Sequence, residues 1–193
     1  MRCPFASTRK AMGRYQLYVA LYARAGKSHM KGEEDKYYWA FVVAPKTETN
    51  DTCGIRFGVK QVLQRTAEGA APMPVWVHEQ INMQMSRAPM MVGRILIGDV
   101  CDVDRLRSIL QEVRFRPDIR GWNWVMWMRD AFEELMRQRK VLGRSVKSWA
   151  IIQVTAMQYV EEKKAAHRFD GTVGYSMDLT PTWDMLRGVE VTE

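Results

Sequence analysis

The chain reads as an α+β protein, an antiparallel β-sheet of about five strands followed by about three helices, and three observations predict this. Up to about residue 100, apolar side chains recur at every second position, the period of a strand with one buried face. From Asp102 onward they recur every three or four positions, the period of a helix. No repeat and no linker separates the two halves. The 193 residues, 47% of them hydrophobic, therefore form a single α+β domain over 14–193, preceded by a flexible basic arm over 1–13.

Tyr15, Leu17, Val19 and Leu21 alternate with Gln16, Tyr18, Ala20 and Tyr22, which predicts a strand over 15–23. The polar stretch 24–36, with Gly26 and Gly32, predicts a loop. Residues 37–43 are aromatic and β-branched and predict a second, central strand, which Pro45 ends. A turn through Asn50, Asp51 and Gly54 leads into a returning strand at 55–60, and further strands are expected at 75–79 and 90–97. Asp102 is placed to cap a helix carrying Val103, Leu106, Ile109, Leu110 and Val113. Beyond Pro117 and Gly121 a second helix is expected from Asn123 to about Lys140, with Trp124, Met128, Phe132 and Leu135 on one stripe. Ser145 reads as the cap of a third helix bearing Val146, Trp149, Ile152, Ala156 and Tyr159. The tail from His167 is expected to lie over the surface.

The formal net charge is +7, and all of the excess lies in residues 1–32, where seven Lys and Arg meet no Asp or Glu. The rest of the chain balances 22 basic against 22 acidic residues, so the body has no broad basic face and a nucleic-acid partner is not expected. No run of about 18 apolar residues predicts a membrane span. Cys3, Cys53 and Cys101 form no CxxC, and His29, His78 and His167 are scattered, so no metal and no cofactor are expected. Three reduced thiols suit the cytoplasm. The 14 Met and 7 Trp supply adaptable and large flat apolar surface, suited to an irregular core or to a roomy apolar pocket.

Two phrases stand out: Tyr37-Tyr38-Trp39-Ala40 on a strand, and Gly121-Trp122-Asn123-Trp124-Val125-Met126-Trp127 at a helix start. With Arg94-Ile95-Leu96-Ile97-Gly98-Asp99-Val100 and the segment from Tyr159 to Phe169, they resemble a family of small fungal proteins of unknown function, over about 15–188. That family in turn resembles circularly permuted papain-like proteins, among them lecithin:retinol-acyltransferase-like enzymes and deSUMOylating peptidases. The resemblance implies a permuted papain-like fold, with a strand His and an Asn-Cys pair at a helix start. A thiolate there is stabilised by free amide donors and the helix dipole, and the His serves as base and then acid. Here Tyr38 stands at the position of the His and Trp124 at that of the Cys, while Gly58 occupies a strand position where a second His is expected. Neither Trp nor a Tyr ionising near ~10 can run that chemistry.

The loss of the Cys/His pair together with the tryptophan count points to two functions. One is a cofactor-independent cyclase or isomerase of the pericyclase type, folding a small hydrophobic natural-product substrate into a near-attack shape inside an aromatic pocket. Tyr38 and Asn123 would be its catalytic polar groups, and Trp39, Arg56, Gly58, Lys60, Trp76, His78, Trp122, Trp124 and Trp127 its substrate-binding surface. Arg56 and Lys60 would meet a substrate carboxylate. The alternative is a catalytically dead papain-like protein that serves as a binding or scaffold module. The two part on one structural question: an enclosed apolar cavity bordered by Tyr38 and 122–127, or a core plugged by Trp124. A homodimer is left open by either.

Overall fold

The structure, a computed structural model, describes residues 14–192 apart from 66, 68, 87, 139, 173 and 175–178; the expected arm over 1–13 lies outside the described residues. The elements run β1 (Tyr15–Ala23), a 3-10 turn (Glu34–Lys36), β2 (Tyr37–Pro45), β3 (Cys53–Gln64), β4 (Met73–Gln84), β5 (Met91–Val100), α1 (Val103–Glu112), α2 (Trp124–Arg137), β6 (Leu142–Ser145), α3 (Trp149–Ala165), β7 (Thr182–Asp184) and β8 (Val189–Thr192). The fold is α+β, as expected, but with eight strands among the described residues instead of about five. They form one sheet in the order β4-β3-β2-β1-β5-β7-β8, with β6 also on β5. The three unforeseen strands are short. β6 lies against β5 through Gly98 and Val100, and the tail expected on the surface contributes β7, parallel to β5, with β8 beyond it.

The start of the third helix and the burial of β1 also differ from expectation. Asp102 caps α1 as expected, its Oδ1 accepting from the amide of Arg105 at 2.8 Å. The third helix starts later than expected, at Trp149, where the Ser148 hydroxyl accepts from the amide of Ile151, and Ser145 belongs to β6. β1 was expected to bury one face and buries both, because it lies inside the sheet between β2 and β5.

The helices pack on one face of the sheet. Leu17, Val19 and Leu21 of β1, Trp39, Phe41 and Val43 of β2, Ile55 and Phe57 of β3, and Ile95 and Ile97 of β5 meet Leu106, Met128, Phe132, Ile152 and Val160 of the helices in the main core. The other face carries a smaller cluster: Tyr18, Ala20, Tyr22, Ala40, Val42, Ala44 and Leu96, covered in part by Met85 and Met91. Small alanines at the centre of this second face leave its larger groups, tyrosines and arginines, toward the two ends.

A Cβ at Gly93 on β5 would stand 2.9 Å from Cγ2 of the fully buried, branched Val160 on α3. Gly93→Ala is expected to lower stability by about 1–3 kcal/mol through overpacking, read from the midpoint of chemical denaturation.

Candidate functional site: an aromatic wedge at the start of α2

β2 and β3 pair over three positions only, Phe41, Val42 and Val43 with Ile55, Arg56 and Phe57. Beyond Phe57, β3 continues with β4 as its ladder partner, through Lys60↔Val77 to Gln64↔Met73. Beyond Phe41↔Phe57 the first residues of β2 have no ladder partner on β3, although Gly58 still lies against Ala40, and a notch is left beside Tyr37–Trp39. The N-terminus of α2 is seated in it.

Asn123 caps α2, its side-chain oxygen accepting from the amides of Val125 at 3.0 Å and Met126 at 3.3 Å. The side-chain oxygen of Asn123, a residue expected to be catalytic, is thus engaged at the helix end. Trp124, the first helical residue, fills the notch. Its indole N–H donates to the carbonyl of Tyr37 at 2.9 Å, and its ring lies 6.1 Å from Tyr38 on one side and 6.5 Å from Trp76 on the other. The Arg24 guanidinium lies 4.8 Å over the same ring. Trp122 is buried edge-on against Trp76, with centroids 4.9 Å apart, and packs on Phe115. Trp127, one turn on, is 1% exposed and rests between Phe41 and His78.

Tyr38 faces the other side of the sheet, beside Tyr22 at 6.0 Å. Its hydroxyl is buried, has no hydrogen-bond partner among the described residues, and lies over Gly58, where any Cβ would overlap it. Gly58 is thus required by the tyrosine. Burial, reinforced by the negative charge of Glu79 and opposed by Arg56, raises the Tyr38 hydroxyl well above its ordinary pKa. It can donate a hydrogen bond and cannot act as a base at neutral pH.

Arg56 and Lys60, expected to greet a substrate carboxylate, are already paired with Glu79, at 2.6 and 2.7 Å. Arg56 also covers the rings of Tyr22 and Tyr38, at 5.1 and 5.9 Å. His78 points to the helix side. Its Nε2 lies 3.1 Å from the carbonyl of Val113, which only accepts, so this nitrogen carries the proton. Burial lowers its pKa, with the bond to Val113 opposing. Trp39 is not in the notch: it packs on Trp149 and donates to the carbonyl of Glu34.

The structure thus brings Tyr38, Trp76, Trp122, Trp124 and Gly58 together and leaves Trp39 in the core. It adds Tyr22, Arg24 and Phe115, which sequence reasoning missed. The register Tyr22↔Tyr38 could have found the first, given the pairing of β1 with β2. Two of the described cavities lie away from this cluster and a third only touches its edge. One of about 550 Å³ opens between α1 and α2, among Glu112, Arg114, Arg116 and Asp130. One of about 440 Å³ opens beside β1, β5 and β7, and a slit of about 60 Å³ touches Gly58, His78 and Trp127. None of these three is bordered by Tyr38, Trp122 or Trp124. Cys53 is disulfide-bonded, against the expectation of three reduced thiols, and Cys101 is a free thiol. Among the described residues no group of three His, Cys, Asp or Glu converges as a metal site, and no helix is long and apolar enough to cross a membrane.

A family model, described as "Family of unknown function (DUF6914)", matches residues 14–192, nearly the whole chain. The chain belongs to the DUF6914 family. Comparison with curated proteins and with solved structures finds no match. The matched span of this DUF6914 protein holds the entire sheet, the three helices and every residue of the notch.

Burial would raise the Glu79 carboxyl, but the hydrogen bond from Lys60 and the charge of Arg56 outweigh it and hold the group below the usual carboxylate range. Its native value lies below the unfolded value near ~4.3, so its stabilisation is present above that pH and is lost as pH falls through the native value. Glu79→Gln should therefore lower stability at pH 7 and flatten the acid limb below about pH 4.3, measured as denaturation midpoints across a pH series.

Proposed function

We propose that this chain is a non-catalytic binding protein in which the cleft expected at the start of α2 has been closed. The observation that carries the reading is the seating of Trp124. Its indole fills the notch between β2 and β3, gives its N–H to Tyr37, and packs on both Tyr38 and Trp76. Tyr38 and Trp124, which the papain-like resemblance places at the His and Cys positions, touch each other, and this supports the likeness. A nucleophile and its base are replaced there by two rings in contact. A cyclase pocket would need open volume between Tyr38 and 122–127, and in this arrangement the rings occupy that volume themselves.

One observation favours the cyclase reading. The Tyr38 hydroxyl is a buried donor without an acceptor, and it would meet a substrate carbonyl if Trp124 swung out of the notch.

Titration of the full chain with indole, followed by amide and side-chain NMR shifts, separates the two. A binding protein with a closed cleft leaves the Tyr38, Trp122 and Trp124 signals unmoved, while Trp124→Ala gains an indole site and loses about 3–5 kcal/mol of stability. Saturable binding of indole to the wild type that shifts those signals and is abolished by Tyr38→Phe would overturn the reading and restore the pocket enzyme.

A further inference from the structure

The second polar cluster of the sheet lies at the opposite end from the notch, and nothing in the chemistry above uses it. Arg94 stands in the apolar run of β5 and is 8% exposed. Its Nε donates to the Thr182 hydroxyl on β7 at 2.8 Å, and its guanidinium lies 4.7 Å over the ring of Tyr18 on β1. The two remaining nitrogens donate to the two carboxylate oxygens of Glu48, at 2.8 and 2.9 Å. A guanidinium braced by a stacking ring and a hydroxyl, with its two outer nitrogens directed in parallel, is a recognition set for a planar oxyanion, and the Glu48 carboxylate occupies it here. Three strands supply the arginine, the ring and the hydroxyl: β5, β1 and β7. The carboxylate comes from the loop between β2 and β3, and it retains 24% exposure.

The cavity of about 440 Å³ opens beside this pair, a volume in the range of small-molecule sites. Its charged lining is Lys46, Glu48, Arg94, Arg144, Asp184 and Arg187. Among the described residues Lys46 makes no ion pair within 4.0 Å. Arg144 and Arg187 reach Asp99 and Asp184 only at 3.9 and 4.0 Å, with side chains more than 60% exposed, contacts that contribute little. The Asp184 carboxylate already accepts from the amides of Leu186 and Arg187, at 2.8 and 3.1 Å. Cations therefore exceed available carboxylates around an open volume with a prepared arginine at its wall.

We propose that this cavity binds a small organic anion, whose carboxylate or phosphate group is held by Arg94, Lys46 and Arg187 and takes the place that Glu48 fills in the free protein. The proposal rests on the reading of the chain as a binding protein and names the class of its ligand. Loop and ligand compete for one guanidinium, so ligand binding frees the loop that follows β2.

The test uses the full chain, with sodium succinate and inorganic phosphate as probes at constant ionic strength, read by calorimetry and by the shift in melting temperature. Saturable binding is expected, about tenfold tighter in Glu48→Gln and about tenfold weaker in the double variant Lys46→Gln, Arg187→Gln. Preference for succinate or for phosphate identifies which oxyanion is native, and either preference supports the site. Glu48→Gln leaves a buried guanidinium unpaired and lowers stability, so its melting temperature should rise more with the probe than that of the wild type. The double variant changes exposed rim residues and keeps the fold. No saturable binding in wild type and Glu48→Gln, or binding unchanged in the double variant, overturns the proposal. The indole titration reads the closed cleft at the other end of the sheet, so the two readings fail independently.

Discussion

Three paired positions hold β2 to β3, and the start of α2 is arranged around the notch that remains beyond them. A parted pair of strands leaves backbone groups without ladder partners and a gap across the sheet, which folded proteins fill or hydrate. Here a single indole fills it, donating to the Tyr37 carbonyl and placing apolar surface against rings on both sides of the sheet. Seating Trp124 fixes the start of α2, and Asn123 caps the helix at that point. One turn later Trp127 is thereby delivered to Phe41 in the main core. The start of α2 and the approach of Trp127 to the main core are thus set around one side chain.

The second face of the sheet follows a different logic. Alanines line its centre, and each end holds an arginine lying over a tyrosine ring and bonded to a carboxylate: Arg56 with Glu79, and Arg94 with Glu48. The first is a closed ion cluster, since Lys60 joins Glu79 and no described cavity of useful size adjoins it. The second borders an open volume and receives its carboxylate from a loop. Similar parts therefore serve packing at one end and present a recognition surface at the other, and the difference is the space beside them.

Elements with a long, clean period were legible in the sequence. β1, β2 and α1 carry enough alternation or helical spacing to be placed directly, and Asp102 and Asn123 marked two helix starts. β6, β7 and β8 have three or four residues each and take their order from β5 and from one another, not from their own pattern. In the candidate site, the rings of Tyr38 and Trp124 lie 6.1 Å apart. The filling of the cleft was not legible, because it depends on where the β2–β3 ladder stops. Arg94 did leave a signal, a lone charge in an apolar strand, but its partner Glu48 is 46 residues away in a loop that no periodicity ties to it.

The hydrogen bond from the Trp124 indole to Tyr37 is the most direct measure of the closed notch. In ¹⁵N-labelled protein each indole N–H gives its own NMR signal, and assignment by a Trp124→Phe variant identifies this one. The closed notch predicts that it exchanges with D₂O orders of magnitude more slowly than a solvent-exposed indole. Exchange at the rate of a free tryptophan would show an open cleft and contradict the account.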